Sequence, residues 1–167
     1  MAKLALILSD IRSTYNVGSL MRTADGFGVK HIYFAGYTPY PTFVGDKRMP
    51  HLAKKINWAI HKTALGAENF IPFSVHRDTK AAIAEAKKQG YTVAALEQSP
   101  KSIDINTYTS PPKLALILGN ELKGVSRQTF NSCDVILEIP MLGKKESLNV
   151  SVSGIIAMYA LTVGLKK

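Results

Sequence analysis

Cysteine is almost absent from the 167-residue sequence, and its single copy, Cys133, excludes an internal disulfide framework and a zinc site built from thiolates. The four histidines lack the close spacing of metal ligands, so we expect no metal site. No apolar run approaches the roughly 20 residues of a membrane-spanning helix, and the run at residues 4–8 is too short for a signal peptide. These absences predict a soluble, cytoplasmic protein.

Acidic residues are also scarce, because 12 Asp and Glu face 21 Lys and Arg and the formal net charge is +9. Such a surplus favours a polyanionic partner, with nucleic acid ahead of an anionic membrane. A basic protein without such a partner is an equally open interpretation. The length and the 46% apolar composition fit one globular domain.

Strand-like and helix-like segments alternate, which predicts an α/β fold with a mostly parallel sheet flanked by helices. The predicted strands are residues 4–8, 31–35, 70–75, 91–96, 114–118 and 135–139. The predicted helices are residues 18–27, 78–90 and 150–165, and a loop rich in serine and proline is predicted up to residue 112. The clearest helix is the second, because Asp78 is a suitable N-cap and Gly90 a suitable stop.

One hexapeptide, KLALIL, occurs at residues 3–8 and again at residues 113–118. The identity does not extend further, which argues against an internal duplication. Continuous apolar runs are typical of parallel strands buried on both faces. We therefore predict that both segments are central strands of the sheet.

Residues 46–62 form a basic segment with a single acid, and they contribute +4 of the net charge (five basic residues minus one acidic). Trp58 and His51 lie among these charges. A mixture of basic and aromatic side chains suits a flexible contact with RNA. A solvated loop with one packed tryptophan is the alternative interpretation.

Three loops carry many of the glycines and short polar residues: the first loop (residues 9–25), the second loop (residues 119–126) and the third loop (residues 139–153). Ligands of open α/β sheets bind beyond the carboxyl ends of the strands, which makes these loops the natural site. The second loop has the glycine spacing of a P-loop, but Val125 occupies the lysine position. The dinucleotide fingerprint and the Gly-x-Ser-x-Gly elbow are also missing.

The three loops together resemble the signature motifs of the SpoU-type RNA 2'-O-ribose methyltransferases, in the SPOUT class. The first motif is similar to residues 16–25 (NVGSLMRTAD), and the second to residues 118–126 (LGNELKGVS). The third resembles residues 139–143 (IPMLG) followed by residues 146–151 (ESLNVS). Residues 62–68 (KTALGAE) also look like a connecting segment of the bacterial members.

This resemblance implies a single SPOUT domain over residues 1–167, without an added RNA-binding domain, whose C-terminal part forms a deep trefoil knot. From physical rules alone we would expect an unknotted sheet. The resemblance further implies S-adenosylmethionine as cofactor, tRNA or rRNA as substrate, and a homodimer with the active site at the interface. Small residues in the last predicted helix fit a close helix contact between subunits, although packing within one subunit explains them equally well.

The resemblance also assigns the site residues. The catalytic group would be Asn16, Arg22, Glu121, Ser147 and Asn149. The cofactor would contact Leu96, Gly119, Ile139, Met141, Ser147 and Leu148. Contacts to RNA are expected from Arg12, Lys47, Arg48, Lys54, Lys55, Lys62, Lys144 and Lys145.

Each catalytic assignment has a chemical reason and an alternative. Arg22 cannot readily serve as a base because a guanidinium keeps its proton, so we expect it to stabilise the developing alkoxide or to grip an RNA phosphate, with a solvated helix arginine as the alternative. Asn16 would orient the ribose or a phosphate, or else cap the following helix. Glu121 would either hold Arg22 or lie near the sulfonium. Ser147 and Asn149 would contact the methionine part or the substrate, with helix capping as the alternative.

The sequence thus predicts an S-adenosylmethionine-dependent methyltransferase acting on a ribose 2'-hydroxyl in tRNA or rRNA. A non-catalytic RNA-binding module on the same scaffold is the first alternative. A flavodoxin-like domain for small molecules or signalling is the second, and it would not need the basic segment.

Overall fold

A parallel seven-stranded sheet forms the centre of the computed structural model, which describes residues 3–163. Its strands are β1 (Lys3–Ser9), β2 (Ile32–Ala35), β3 (Phe73–His76), β4 (Thr92–Leu96), β5 (Ile103–Asp104), β6 (Lys113–Leu118) and β7 (Val135–Glu138). Their spatial order is β3-β2-β1-β6-β4-β7-β5, and all neighbouring strands pair in parallel. The predicted α/β fold with a parallel sheet is therefore confirmed.

Helices cover both faces of the sheet. They are α1 (Thr14–Gly26), α2 (Pro50–Ala64), α3 (Thr79–Lys88), α4 (Arg127–Phe130) and α5 (Val150–Thr162), and a 3-10 turn spans Ala67–Asn69. Buried side chains of α1, α2 and α5 share one hydrophobic cluster, whereas those of α3 belong to a second cluster. The two clusters lie on opposite faces of the sheet, since successive strand residues point to opposite sides.

The two identical hexapeptides pair side by side at the centre of the sheet. Lys3 is opposite Lys113 and Leu8 is opposite Leu118, so the two copies align residue for residue. The leucines at positions 4, 6 and 8 pack towards α1 and α5, while Ala5 and Ile7 pack towards α3. The prediction of two central buried strands is confirmed.

Several predicted boundaries were wrong. Helix α1 begins at Thr14 rather than residue 18, because Ser13 caps it by accepting a hydrogen bond from the Asn16 amide at 3.2 Å. Strand β3 begins at Phe73 rather than residue 70, and the loop predicted up to residue 112 contains the two-residue strand β5. Helix α5 ends at Thr162, and residues 164 and 165 of its predicted span lie outside the described residues.

Helix α2 is the main element that the sequence analysis missed. The basic segment is not a flexible loop, because residues from Pro50 onwards are helical. Its apolar positions Ala53, Ile56, Ile60 and Ala64 recur at helical spacing, but the charges around them favoured the interpretation as a contact loop. Pro50 starts the helix at a position where its missing amide hydrogen costs nothing.

Close packing of α1 against α2 and α5 depends on glycine. A Cβ atom at Gly18 would overlap the carbonyl oxygen of Ile60 and the side chain of Thr63 in α2. A Cβ atom at Gly154 would overlap Leu20 and Leu118. The small residue Gly154 therefore serves packing within the subunit, which is one of the two explanations that the sequence left open.

Among the described residues, no helix is both long and apolar enough to cross a membrane, and no group of three or more metal-ligating side chains occurs. Cys133 packs at the edge of the second hydrophobic cluster, and burial raises the pKa of its thiol to about 11. The thiol therefore has the character of a structural side chain, as predicted.

Candidate active site

Glu121, in the second loop, is the polar centre at which the first and second loops meet. Its carboxylate accepts hydrogen bonds from the backbone amides of Arg12 and Ser13, at 3.0 and 3.1 Å, and from Nδ2 of Asn16 at 3.0 Å. The carboxylate thus lies at the N-terminal end of α1, where the helix dipole favours a negative charge. Glu121 holds the start of α1 and makes no ion pair with Arg22 within residues 3–163.

The third loop joins this centre through two amide side chains. Nδ2 of Asn149 donates to Oδ1 of Asn16 at 3.3 Å. Oδ1 of Asn149 accepts from the backbone amide of Ser151 at 2.9 Å, so Asn149 is also the N-cap of α5. Asn16 lies in the first turn of α1 and is not its cap. A continuous chain of hydrogen bonds therefore runs through Glu121, Asn16 and Asn149.

The hydrogen bonds determine the charge state of Glu121. Partial burial on its own raises the pKa of this carboxyl group. The backbone amides of Arg12 and Ser13 and the side chain of Asn16 stabilise the charged form and outweigh burial, so the pKa lies below its ordinary value. The group is a carboxylate at neutral pH and cannot act there as an acid.

Asn120 fixes the shape of the second loop, and the sequence analysis missed it. Its buried side chain donates to the carbonyl oxygen of Asp10 and to the hydroxyl of Tyr37, both at 2.8 Å. Its Oδ1 accepts from the backbone amides of Leu122 and Lys123 at 2.9 Å. The sequence signal for this role was the position of Asn120 two residues after a predicted strand, between Gly119 and Gly124.

A cavity of about 560 Å³ opens at the carboxyl ends of β4, β6 and β7. All six residues predicted to contact the cofactor line it: Leu96, Gly119, Ile139, Met141, Ser147 and Leu148. The predicted meeting of the second and third loops at the strand ends is therefore observed. The volume of the cavity lies within the range typical of sites that bind small molecules.

Glu97 is a further residue of this cavity that was not predicted. Its carboxylate accepts hydrogen bonds from the backbone amides of Val125 and Gln98, both at 3.0 Å. Gly124 has a left-handed backbone with φ of +63°, and a Cβ atom there would overlap the Glu97 carboxylate. Glu97 thus ties the loop after β4 to the loop after β6, and only glycine permits this approach.

The predicted catalytic residues do not all lie at one point. Glu121 and Ser147 line the cavity, and Asn16 and Asn149 connect to Glu121 through side chains. Arg22 follows Asn16 by six residues of α1, which is about 9 Å along the helix axis. It is exposed, and it is not among the described residues that line the cavity.

The predicted RNA-contacting residues are mostly exposed, with one exception. Arg12, Lys47, Lys54, Lys55, Lys62, Lys144 and Lys145 are all exposed. Arg48 instead is bound internally, since it pairs with Asp46 at 2.6 Å and its guanidinium lies 3.7 Å from the centre of the Tyr40 ring. Trp58 is not packed, because 62% of its surface is exposed.

The chain is an α/β protein with a parallel sheet, and its cavity lies at the carboxyl ends of the strands, where proteins of this class bind their ligands. Residues 3–159 match the model of the SpoU rRNA Methylase family. The chain therefore belongs to this methylase family, and the resemblance drawn from the three loops is confirmed.

Two relatives and one solved structure illustrate the similarity. A tRNA (guanosine(18)-2'-O)-methyltransferase of Borreliella burgdorferi is 29% identical over 98% of this chain, which spans 68% of that relative. The 23S rRNA (guanosine-2'-O-)-methyltransferase RlmB of Nitrosomonas europaea is 34% identical over 93% of this chain, which spans 54% of it. The AdoMet-bound rRNA methyltransferase of Sinorhizobium meliloti has the same fold, with a TM-score of 0.79 at 23% identity over 95% of this chain and 55% of its own.

Proposed function

We propose that the protein is an S-adenosylmethionine-dependent methyltransferase that modifies a ribose 2'-hydroxyl of tRNA or rRNA. Membership of the SpoU rRNA Methylase family and the names of its relatives support this activity. The observation that carries the proposal is the convergence of the three motif loops, because Glu121, Asn16 and Asn149 form one hydrogen-bonded chain beside a single cavity.

The cavity fits the chemistry of the proposed cofactor. Leu96, Ile139 and Met141 provide apolar surface for an adenine ring. Gly119 lines the same cavity, and its missing side chain leaves room for the backbone of Gly124. The carboxylates of Glu97 and Glu121 line the same cavity and suit a ligand that carries positive charge. When bound, S-adenosylmethionine supplies a methyl group on an electrophilic sulfonium.

We assign Arg22 to the reacting hydroxyl. The guanidinium stays protonated, so it binds and stabilises negative charge at the 2'-oxygen or at the neighbouring phosphate, and it does not accept the proton. Asn16 is held by Glu121 and Asn149, which orients its carboxamide at the start of the same helix. Ser147 and Asn149 contact the methionine part or the substrate, and orienting both reactants lowers the barrier.

The distance between Arg22 and the cavity favours a homodimer. In one subunit Arg22 lies outside the cavity lining, so a second subunit would bring its own Arg22 to the cavity of the first. Helix α5 has an exposed apolar face of Val152, Ile156, Tyr159 and Val163, which are 38–54% exposed. These positions are spaced by three and four residues and form one face, as expected of a helix that packs against a partner.

We also propose that residues 3–163 form one catalytic domain whose C-terminal part is a trefoil knot. Strand β7 lies beyond β4 in the sheet, whereas α5 packs against α1 and β1. The chain between them returns across β4 and β6, and the cavity brings this segment together with the loops that follow both strands. Passage of the third loop through those loops would tie the knot.

A cytoplasmic location suits the proposed substrates.

Seven exposed basic residues are proposed to contact the RNA: Arg12, Lys47, Lys54, Lys55, Lys62, Lys144 and Lys145. Arg48 is left out of this set, because its guanidinium pairs with Asp46 and donates hydrogen bonds to the carbonyl oxygens of Tyr40 and Pro41. Phosphate contacts of this kind bind RNA without reading its sequence.

The test is to incubate the protein with unmethylated total RNA and methyl-labelled S-adenosylmethionine and then to locate the label by nuclease digestion. We expect label on a ribose 2'-oxygen of tRNA or rRNA and loss of label with Arg22→Lys. Label on a base would contradict the proposed reaction. Binding of RNA without binding of the methyl donor would instead indicate the non-catalytic RNA-binding module.

A further inference from the structure

The solvent-facing side of α2 carries the only tryptophan of the protein. Trp58 is 62% exposed, although tryptophan is the side chain with the largest apolar surface to bury. The buried residues of α2 are Ala53, Ile60 and Ala64, and Trp58 is not among them. A single exposed apolar side chain is common on protein surfaces, so the importance of Trp58 depends on the residues around it.

The neighbours of Trp58 along the helix are all basic. Residues three or four positions away on a helix lie beside one another. For Trp58 these neighbours are Lys54, Lys55, His61 and Lys62, and α2 contains no acidic residue. We call these five residues the α2 platform. Its charge is complementary to a phosphate backbone, and its central ring offers a face for stacking.

The aromatic rings of the platform are held in place by contacts with each other and with Glu68. The rings of Trp58 and His61 are stacked with centroids 5.9 Å apart and an angle of 20° between their planes. Nδ1 of His61 pairs with the carboxylate of Glu68 at 2.6 Å, and this carboxylate also accepts from the Gly66 amide at 2.9 Å. Glu68 is buried, so it anchors the imidazole and thereby limits the movement of the indole ring.

Helix α2, which carries the platform, also packs directly against α1. The hydroxyl of Thr63 in α2 donates to the carbonyl oxygen of Tyr15 at 2.9 Å, and Gly18 of α1 abuts α2 directly. Arg22 follows Tyr15 by seven and Gly18 by four residues, so it lies on the side of α1 that adjoins α2. A nucleic acid bound on the platform would therefore extend along the helix that carries Arg22.

We propose that the α2 platform binds a single-stranded part of the RNA substrate, with one base stacked on Trp58 and its phosphates bound by the lysines. This inference rests on the proposed function and adds a site to it. A base inside a duplex has no free face, so the platform selects an unpaired nucleotide such as one in a loop. Selection is by stacking and charge and is independent of base identity.

The fluorescence of Trp58 gives a direct test, because the protein has no other tryptophan. The full chain is titrated with a short oligouridylate and with duplex RNA of equal length. We expect the single strand to quench the emission of Trp58 and to shield it from acrylamide, and the duplex to do neither. Binding of labelled RNA is followed in parallel by anisotropy.

Variants separate stacking from charge. Stacking on an aromatic ring is worth about 1–3 kcal/mol per base, so Trp58→Ala should weaken single-strand binding about 5- to 150-fold, whereas Trp58→Phe should retain most of it. Lys54→Ala and Lys62→Ala should each lower the salt dependence of binding by about one phosphate contact. Phe70→Ala, at a 74% exposed ring outside α2, and Lys88→Ala, on α3, are matched controls expected to bind RNA as the unchanged chain does.

A methyl-transfer assay distinguishes failure of the platform proposal from failure of the proposed function. If the platform binds substrate, Trp58→Ala raises KM for RNA more than it lowers kcat. If the unchanged chain methylates RNA while Trp58 emission does not respond and Trp58→Ala binds like Phe70→Ala, the platform is overturned and the proposed function stands. If the unchanged chain neither binds nor methylates RNA, the proposed function is overturned, and the platform with it.

Discussion

Nδ2 of Asn16 and Oε1 of Glu121 are 3.0 Å apart, although 105 residues separate them in the chain. This bond joins the first turn of α1 to the loop after β6. Asn149 extends it to the third loop through a second bond at 3.3 Å. The three motifs therefore behave as one hydrogen-bonded unit, in which a change at Glu121 affects the positions of both asparagines.

Glu121→Gln is expected to destabilise the protein and to weaken binding of the methyl donor. A carboxamide has one oxygen acceptor and a donor group that would face the amides of Arg12 and Ser13. Hydrogen bonds to a charged group contribute about 1.5–3 kcal/mol, so we expect a loss of about that size in the free energy of unfolding measured with urea. Glu146→Gln is the control, because Glu146 is an exposed carboxylate of the same cavity, and its effect should stay within about 0.5 kcal/mol.

The stabilising effect of Glu121 should depend on pH. Its pKa is lower in the folded protein than in the unfolded chain, so its contribution is complete above the unfolded pKa and is lost as the pH falls through the folded pKa. The difference in unfolding free energy between the unchanged chain and Glu121→Gln should be constant from pH 6 to 8 and should shrink below about pH 4.3. A difference that grows on acidification would contradict this assignment of charge.

The central sheet was predictable because its signals are local. Continuous apolar runs identified β1 and β6, and Asp78 and Gly90 marked the limits of α3, where the Asp78 carboxylate accepts from the Ala81 amide at 2.8 Å. Helix α2 was missed although Ala53, Ile56, Ile60 and Ala64 recur at helical spacing, because its basic side chains favoured the interpretation as a contact loop. In such a helix, contact with Gly18 of α1 supplies the stability that the sequence pattern does not reveal.

The site was predictable only in part, because several of its residues act through contacts with residues that are distant in the sequence. The motif resemblance identified the cavity residues, but the roles of Asn120 and Glu97 depend on contacts with Asp10 and Val125, which are distant in sequence. Glu121 was expected to hold Arg22 or to lie near the sulfonium. Within residues 3–163 it makes no ion pair with Arg22, and it holds the start of α1 while lining the cavity. Long-range hydrogen bonds leave no periodic trace, so only the folded structure reveals them.

Gly18→Ala is expected to destabilise the contact between α1 and α2. The added methyl group would overlap the backbone carbonyl of Ile60, so the two helices would have to move apart, at a cost of about 1–3 kcal/mol in the free energy of unfolding. Gly26→Ala is the matched control on the same helix, because nothing lies within 4 Å of a Cβ atom there. Alanine has the better helix propensity, so this control should be neutral or stabilising by up to about 1 kcal/mol. Equal effects of the two substitutions would contradict the close contact.

Arg22→Lys is expected to lower kcat for RNA methylation about 10²- to 10³-fold, the loss typical when a donor to a developing oxyanion is removed. Lysine keeps the charge but lacks the planar, bidentate donor geometry of the guanidinium. Rates are measured with labelled S-adenosylmethionine at saturating RNA, and binding of the methyl donor is measured separately by calorimetry. Arg77→Lys is the control, since Arg77 is an exposed arginine next to α3 that pairs with Asp78. A kcat for Arg22→Lys close to that of the control would reject the catalytic assignment.

Val152→Asp is expected to convert the proposed dimer to a monomer. Val152 is 43% exposed on the apolar face of α5, and burying a carboxylate there against a partner subunit would be costly. An aspartate in the first turn of a helix suits the helix dipole, so the subunit itself should still fold. Light scattering should give twice the subunit mass of 18.2 kDa for the unchanged chain and the single mass for the variant, with loss of methyl transfer. Val44→Asp, at a fully exposed valine outside α5, is the control and should remain dimeric and active. If the unchanged chain is a monomer with full activity, the site is not shared between subunits.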